Sequence, residues 1–283
     1  MSYFSGKSVF LVGGSEGIGR ATAIELSRQG AHVVIAARRQ PPLDETVALM
    51  REAQASDTQT FGAVSLDVSN PGDVRAAREQ VLAQLGGKID VVITNVGFAK
   101  VGYIHELEDD ALQQLLSVNY LGHAHVIRAF IPDLVDQKSG DICLISSALG
   151  FFSTAGYGPY SASKYAVRGF AEALRQEMLE HNVRVTMFYP GTTKTPGLEK
   201  ENKDKPAAVW EMESSSSFNS IHEPSEVAKA IMRSIQRGRF DNVLGFDNWL
   251  MWTLFRLLPK TSRWIADMEW RKALRNVGTK KNG

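Results

Sequence analysis

The sequence predicts a three-layer α/β fold built on a doubly wound parallel sheet. Three observations predict it. Short apolar runs alternate with helical patterns to about residue 245, the order produced by a parallel sheet with helices on both faces. A glycine-rich turn, Gly13-Gly14-Ser15-Glu16-Gly17-Ile18-Gly19, separates the first apolar run from the first helical pattern. The polar residues capable of chemistry fall just past the apolar runs, at the strand ends where an open α/β sheet builds its sites.

The bulk properties narrow the class. The 283 residues suffice for one large α/β domain, and no boundary or repeat interrupts it. The expected division is a catalytic domain over 1–247 and a helical extension over 248–283. A net charge of +1 offers no attraction for nucleic acid. The single cysteine, Cys143, excludes an internal disulfide and a cysteine metal cluster; its apolar surroundings place it in the core. His123 and His125 are two apart on a helical pattern and do not face one ligand, so no metal site is expected. The first residues lack the pattern of a signal peptide, and no apolar run reaches the ~18 residues of a membrane span. A cytoplasmic protein is the expectation.

Taken in order, Ser8–Val12 reads as the first strand. The glycine turn and a helix over 20–28 follow. Strand, glycine turn and helix in this order form a dinucleotide-binding fingerprint of the Rossmann type. Gly13, Gly17 and Gly19 let the backbone approach a pyrophosphate, and the helix start offers free N–H groups and positive potential. The spacing is G-x-x-x-G-x-G rather than G-x-G-x-x-G. The second strand, 31–37, ends in Arg38-Arg39. An acid at this place holds the ribose hydroxyls of NAD, whereas an arginine suits a 2′-phosphate. The pair therefore favours NADP(H), Arg38 before Arg39; two solvated surface arginines are the other reading.

A helix over 43–55 and a strand over 60–66 lead to Asp67-Val68. Asp67 either accepts from an adenine amino group or serves a turn. A helix over 71–85, with Pro71 in its first turn, precedes a strand over 89–94 that ends Asn95-Val96-Gly97. Gly97 allows close passage of a cofactor ribose. A continuous helix is expected over 109–135, with Asn119 inside it. An interior Asn bonds backbone groups readily; it either satisfies a local carbonyl or organises a water beside a lysine.

The apolar run 142–145 ends at Ser147. Thirteen residues later Tyr160 opens a helix to about residue 180, and Lys164 stands four beyond Tyr160. That spacing puts Tyr160 and Lys164 on one helical face. A phenol titrates near ~10, and a neighbouring ammonium lowers that value, so the pair suits proton exchange with a carbonyl or hydroxyl oxygen. A capped helix with a chance Tyr and Lys is the alternative. A strand over 183–188 turns through Pro190-Gly191-Thr192. The polar stretch 194–224 reads as an irregular substrate lid, followed by a helix over 225–237 and a short strand over 242–245.

Together these motifs resemble the short-chain dehydrogenase/reductase family from about residue 5 to 247. The resemblance rests on the Gly13/Gly17/Gly19 turn, Asp67, Asn95-Val96-Gly97, Asn119, Ser147, Tyr160, Lys164 and Pro190-Gly191. Val12 and Val96 depart from the family's usual Thr and Ala. The resemblance implies a catalytic set of Asn119, Ser147, Tyr160 and Lys164, in which Tyr160 exchanges the proton and Lys164 lowers its pKa. Ser147 bonds the ketone oxygen, and Asn119 supports a water relay. It implies NADPH on Gly13, Ser15, Gly17, Ile18, Gly19, Arg38, Arg39, Asp67, Val68, Asn95, Gly97, Tyr160, Lys164, Pro190, Gly191 and Thr192. Many relatives pair through two long helices, so a homo-oligomer is a further expectation. Within the family, SVNYLG at 117–122, the stretch 160–178 and TPGLEKEN in the lid resemble the branch that reduces 3-ketodihydrosphingosine, a long-chain ketone of sphingolipid synthesis. A reductase of another hydrophobic ketone (steroid, retinoid or acyl) and a non-catalytic NADPH-binding scaffold are the rival readings.

For a lipid tail, Phe98, Phe151, Phe152 and Tyr157 flank the site; they either line a tail tunnel, the reading favoured for Phe151 and Phe152, or fill the core. Trp and Leu residues interleave with basic ones over 249–276. Such a segment suits peripheral contact with a membrane surface; packing on the domain or on a second subunit is the alternative.

Overall fold

The computed structural model of the chain describes residues 2–216 and 220–281; the serine run ending at Ser217 thus falls partly outside the described residues. Among them, seven strands form one parallel sheet: β1 (Ser8–Val12), β2 (His32–Ala37), β3 (Phe61–Ser65), β4 (Val91–Thr94), β5 (Gly140–Ile145), β6 (Val183–Tyr189) and β7 (Asp241–Val243). Their order is β3-β2-β1-β4-β5-β6-β7, with Val9 paired to Val33 on one side and Val91 on the other. The winding reverses between β1 and β4, where such sheets open a crevice for a ligand.

β1 and β4 are buried at every residue, which explains their unbroken apolar sequence. Alternate side chains of β1 feed two cores. Phe10 and Val12 pack with α3 (Pro71–Gln84), α5 (Gly122–Asp136) and α6 (Gly158–Glu177). Val9 and Leu11 pack with α1 (Gly17–Arg28), α2 (Gln40–Glu52) and α9 (Pro224–Arg237), and Cys143 lies in this second core. The helix α4 (Asp109–Leu116) precedes α5; α7 (Pro196–Lys203) and α8 (Ala207–Ser215) lie between β6 and α9; α10 (Phe246–Leu257) and α11 (Pro259–Lys281) end the chain.

Several expectations change. α1 begins at Gly17 rather than near residue 20; Gly17 has φ +55°, a left-handed entry to the helix that glycine adopts without a Cβ penalty. α2 starts at Gln40, with its prolines in the first turn, where they remove no needed hydrogen bond. The expected continuous helix 109–135 is divided by a π-helical turn, Ser117–Leu121. A π-turn inserts a residue and shifts the helix phase, which turns Asn119 wholly inward. The lid is not irregular. Thr195 caps α7 by accepting from the Leu198 N–H at 3.2 Å, and α8 buries Ala208, Val209 and Met212. The C-terminal segment is two helices broken at Leu258-Pro259. α11 packs along α8, with Asn276 donating to Glu211 at 2.8 Å. Among the described residues, no helix is long and apolar enough to cross a membrane.

Candidate active site

A cavity of about 690 Å³ runs across the carboxyl ends of the strands and under the lid. Every cofactor and catalytic residue read from the sequence lines it except Gly19 and Asn119, which lie behind its wall.

The cofactor half is built on the glycine turn. Gly13 has φ +80°, and a Cβ there would stand 2.2 Å from the Asn95 carbonyl oxygen. A Cβ on Gly19 would stand 1.9 Å from the Gly13 carbonyl oxygen. Only glycines let the turn, α1 and the end of β4 meet this closely, and the Asn95 amide closes the contact by donating to Gly13 O at 3.3 Å. No side chain caps α1, so its first N–H groups are left for a ligand, with Gly17 and Ile18 on the cavity wall. This cradle, with its positive helix end, fits a dinucleotide pyrophosphate.

Arg38 and Arg39 diverge. Arg39 pairs with Glu16 at 2.6 Å, whereas Arg38 is exposed at the cavity edge and pairs with no acid among the described residues. Asp67 is fixed as a turn acid: its Oδ1 accepts from the Ser69 N–H at 3.0 Å and the Ser69 hydroxyl at 2.7 Å. These bonds, with Arg38 adding to them, hold its carboxyl below the usual range. It lines the cavity as well, so the turn role does not remove it from the site.

The catalytic half joins β5 to α6. Ser147 follows β5, and its oxygen accepts from the Leu149 N–H at 3.2 Å. Ser146 donates to the Lys164 carbonyl at 3.1 Å and ties strand to helix. Tyr160 lies in the first turn of α6 and Lys164 in the next; the ammonium is 5.9 Å from the phenol ring centre. Lys164 Nζ points to the carbonyls of Val96 and Ile145, each at 3.4 Å, and burial lowers its pKa to about 8.

The expectation that Lys164 pulls the Tyr160 pKa down is corrected. Burial pushes Tyr160 up to about 12; a bond with Ser147 opposes this, and the Glu201 carboxylate adds to it. Charged phenolate is the form that loses hydration, so desolvation outweighs an ammonium held on the two carbonyls. At neutral pH Tyr160 holds its proton, the state that a proton donor needs.

Asn119 is engaged by protein. Its amide donates to Phe98 O at 2.9 Å and Ser163 Oγ at 3.0 Å, and its Oδ1 accepts from Phe98 N–H at 3.0 Å. It thus clamps the loop after β4 against α6. His123 and His125 serve separate partners: His123 meets Thr94 and Val96 O, and His125 meets Val68 O.

Phe152 lines the cavity beside Met251 and packs on Phe255. Phe151 does not line it; it packs edge-on against Tyr189 in the core. The sequence reading missed the acids of the substrate half, Glu201 on α7, Glu213 on α8 and Glu269 on α11. The Thr195-Pro196 helix start and the four-residue spacing of Glu201 and Lys205 were the available signals for the first.

A sequence profile of the short chain dehydrogenase family matches residues 7–206. The chain belongs to that family. It is thus an oxidoreductase that works with a nicotinamide cofactor, for which the glycine cradle is the fitting seat. The chain is 36% identical over 250 residues to the 3-ketodihydrosphingosine reductase of Mus musculus, covering 88% of this chain and 74% of that one. It is 33% identical over 267 residues to SadH of Mycobacterium tuberculosis, whose name states no substrate, covering 91% and 93%. A crystal structure of a short-chain type dehydrogenase/reductase from Mycobacterium marinum matches at a TM-score of 0.76 and 24% identity, covering 85% and 94%. That likeness bears on the fold alone.

Proposed function

We propose that the chain reduces the ketone of 3-ketodihydrosphingosine with NADPH, giving dihydrosphingosine for sphingolipid synthesis. The reading is carried by its likeness to named reductases of that ketone through the lid, beyond the shared cofactor half. The cavity agrees with it: Phe98, Leu198, Phe152 and Met251 offer an apolar wall for an alkyl chain.

Arg38 supports NADPH over NADH, since it stands where an acid would hold the ribose hydroxyls. The nicotinamide, when bound, supplies the hydride. The glycine cradle, Asn95, Gly97 and the 190–192 turn would hold the cofactor, with Lys164 on a ribose hydroxyl. Ser147 bonds the ketone oxygen and Tyr160 gives it a proton as the alkoxide forms, which stabilises charge where it develops. Lys164 replaces the Tyr160 proton through a water relay, and the Asn119 clamp keeps the Phe98 loop in place beside it.

The same proposal places the lipid entrance at a membrane surface. Trp249, Leu257, Leu258 and Trp264 are exposed on α10, the break and α11, with Lys260 and Arg263 among them. Tryptophan and basic residues around an apolar face suit a lipid headgroup layer.

The test is NADPH oxidation with 3-ketodihydrosphingosine beside a panel of steroid, retinoid and acyl ketones, repeated with NADH. Turnover of the panel without turnover of the sphingoid ketone would establish instead the second reading, a reductase of another hydrophobic ketone.

A further inference from the structure

We propose that Glu201 binds the protonated amine of the substrate and selects 2-amino ketones over neutral ones. The inference rests on the substrate reading above and deepens it. In such a ketone the amine sits on the carbon next to the carbonyl. With the carbonyl oxygen held by Ser147 and Tyr160, the amine must meet the wall adjoining Tyr160.

Glu201 is on that wall. The Tyr157 phenol donates to Glu201 Oε1, and the Tyr157 ring stands edge-on to Tyr160 at 6.3 Å between centres. The negative charge of Glu201 reaches Tyr160, where it helps raise the phenol.

Its bonding leaves room for a cation. Lys205, whose side chain is 1% exposed, lies 2.5 Å from Glu213 Oε2 and 3.4 Å from Glu201 Oε1. The shorter contact goes to Glu213. The contacts from Tyr157 and Lys205 both fall on Oε1. Burial raises the Glu201 carboxyl, so a carboxylate there is short of compensation, and an arriving ammonium supplies it.

The surrounding charges agree. Glu201, Glu213 and Glu269 line this half of the cavity against Lys164 and Lys200. Lys164 is committed to two backbone carbonyls, and Lys200 is exposed on α7. A neutral ketone makes no use of this arrangement, whereas an alkyl amine completes it.

The experiment measures kcat/KM of the full chain for 3-ketodihydrosphingosine and for the same ketone with the amine replaced by hydrogen. The wild type should prefer the amine. In Glu201→Gln the preference should fall about 10- to 100-fold, the span of one charge-assisted hydrogen bond, and mainly through KM. Glu201→Asp, which keeps the charge at shorter reach, should fall between them. Thermal melting and cofactor affinity confirm that each variant folds. A preference that Glu201→Gln leaves unchanged, or a wild type that takes both ketones equally, overturns the inference and leaves the substrate reading standing. A wild type that reduces neither but reduces other hydrophobic ketones overturns both. If Glu201→Gln does not fold, inhibition of the wild type decides. Octadecylamine must then compete with substrate far more strongly than octadecanol, and equal inhibition overturns the inference.

Discussion

On the proposed NADPH reading, replacing Arg38 with Ala should leave an enzyme that barely distinguishes the two nicotinamide cofactors. The guanidinium is exposed at the end of β2 and carries no ion pair with an acid among the described residues, so removing it frees no partner and opens no cavity. The loss is the charge-assisted bond to a phosphate, about 1.5–3 kcal/mol in general. Exposure and screening hold it to the lower part of that range, so about 1.5–2 kcal/mol, or roughly 10- to 30-fold in KM for NADPH. The KM for NADH should move less than about two-fold, because no second phosphate is present to lose. Arg39→Ala should do less, since Arg39 must first leave Glu16 at 2.6 Å before it can reach a phosphate. Steady-state kinetics with both cofactors at two ionic strengths provide the assay. Added salt should narrow the wild-type difference between NADPH and NADH. Equal shifts for both cofactors in Arg38→Ala, or a wild type that prefers NADH, would refute the reasoning.

Other perturbations follow from the same geometry. Tyr160→Phe removes the proposed proton donor, so turnover should fall at least ~10²-fold while cofactor binding survives; near-normal turnover refutes the assignment. Lys164→Met should abolish activity yet raise stability at pH 7 by something on the order of 1–3 kcal/mol, because the buried ammonium titrates near 8 instead of 10.5. The folded state binds fewer protons than the unfolded state between those values, so wild-type stability rises with pH through that window. The advantage of Met should therefore be full below pH 8 and vanish towards 10.5, as chemical denaturation can show. Gly19→Ala would press a methyl onto the Gly13 carbonyl and should weaken cofactor binding, read by nucleotide fluorescence, more than it lowers the melting temperature. Leu258→Glu combined with Trp264→Glu should reduce sedimentation with anionic vesicles without changing turnover of a short-chain soluble ketone; undiminished sedimentation removes the membrane reading.

The sequence by itself determined the sheet, and it singled out the glycine turn and Ser147, Tyr160 and Lys164, which the fold brings to one cavity. These depend on short-range rules: an apolar run buried on both faces, glycines where backbones touch, two side chains one helical turn apart. The acids of the substrate half were not legible as a group because Glu201, Glu213 and Glu269 come from three helices that only the packing of α7, α8 and α11 brings to one cavity. Asn119 was visible but its geometry was not, since a π-turn leaves no mark in the apolar spacing that predicts a continuous helix. The proton affinity of Tyr160 was likewise a tertiary matter. Spacing placed an ammonium nearby, yet the balance between that charge and desolvation is set by how deeply the folded chain encloses the phenol, where burial prevails.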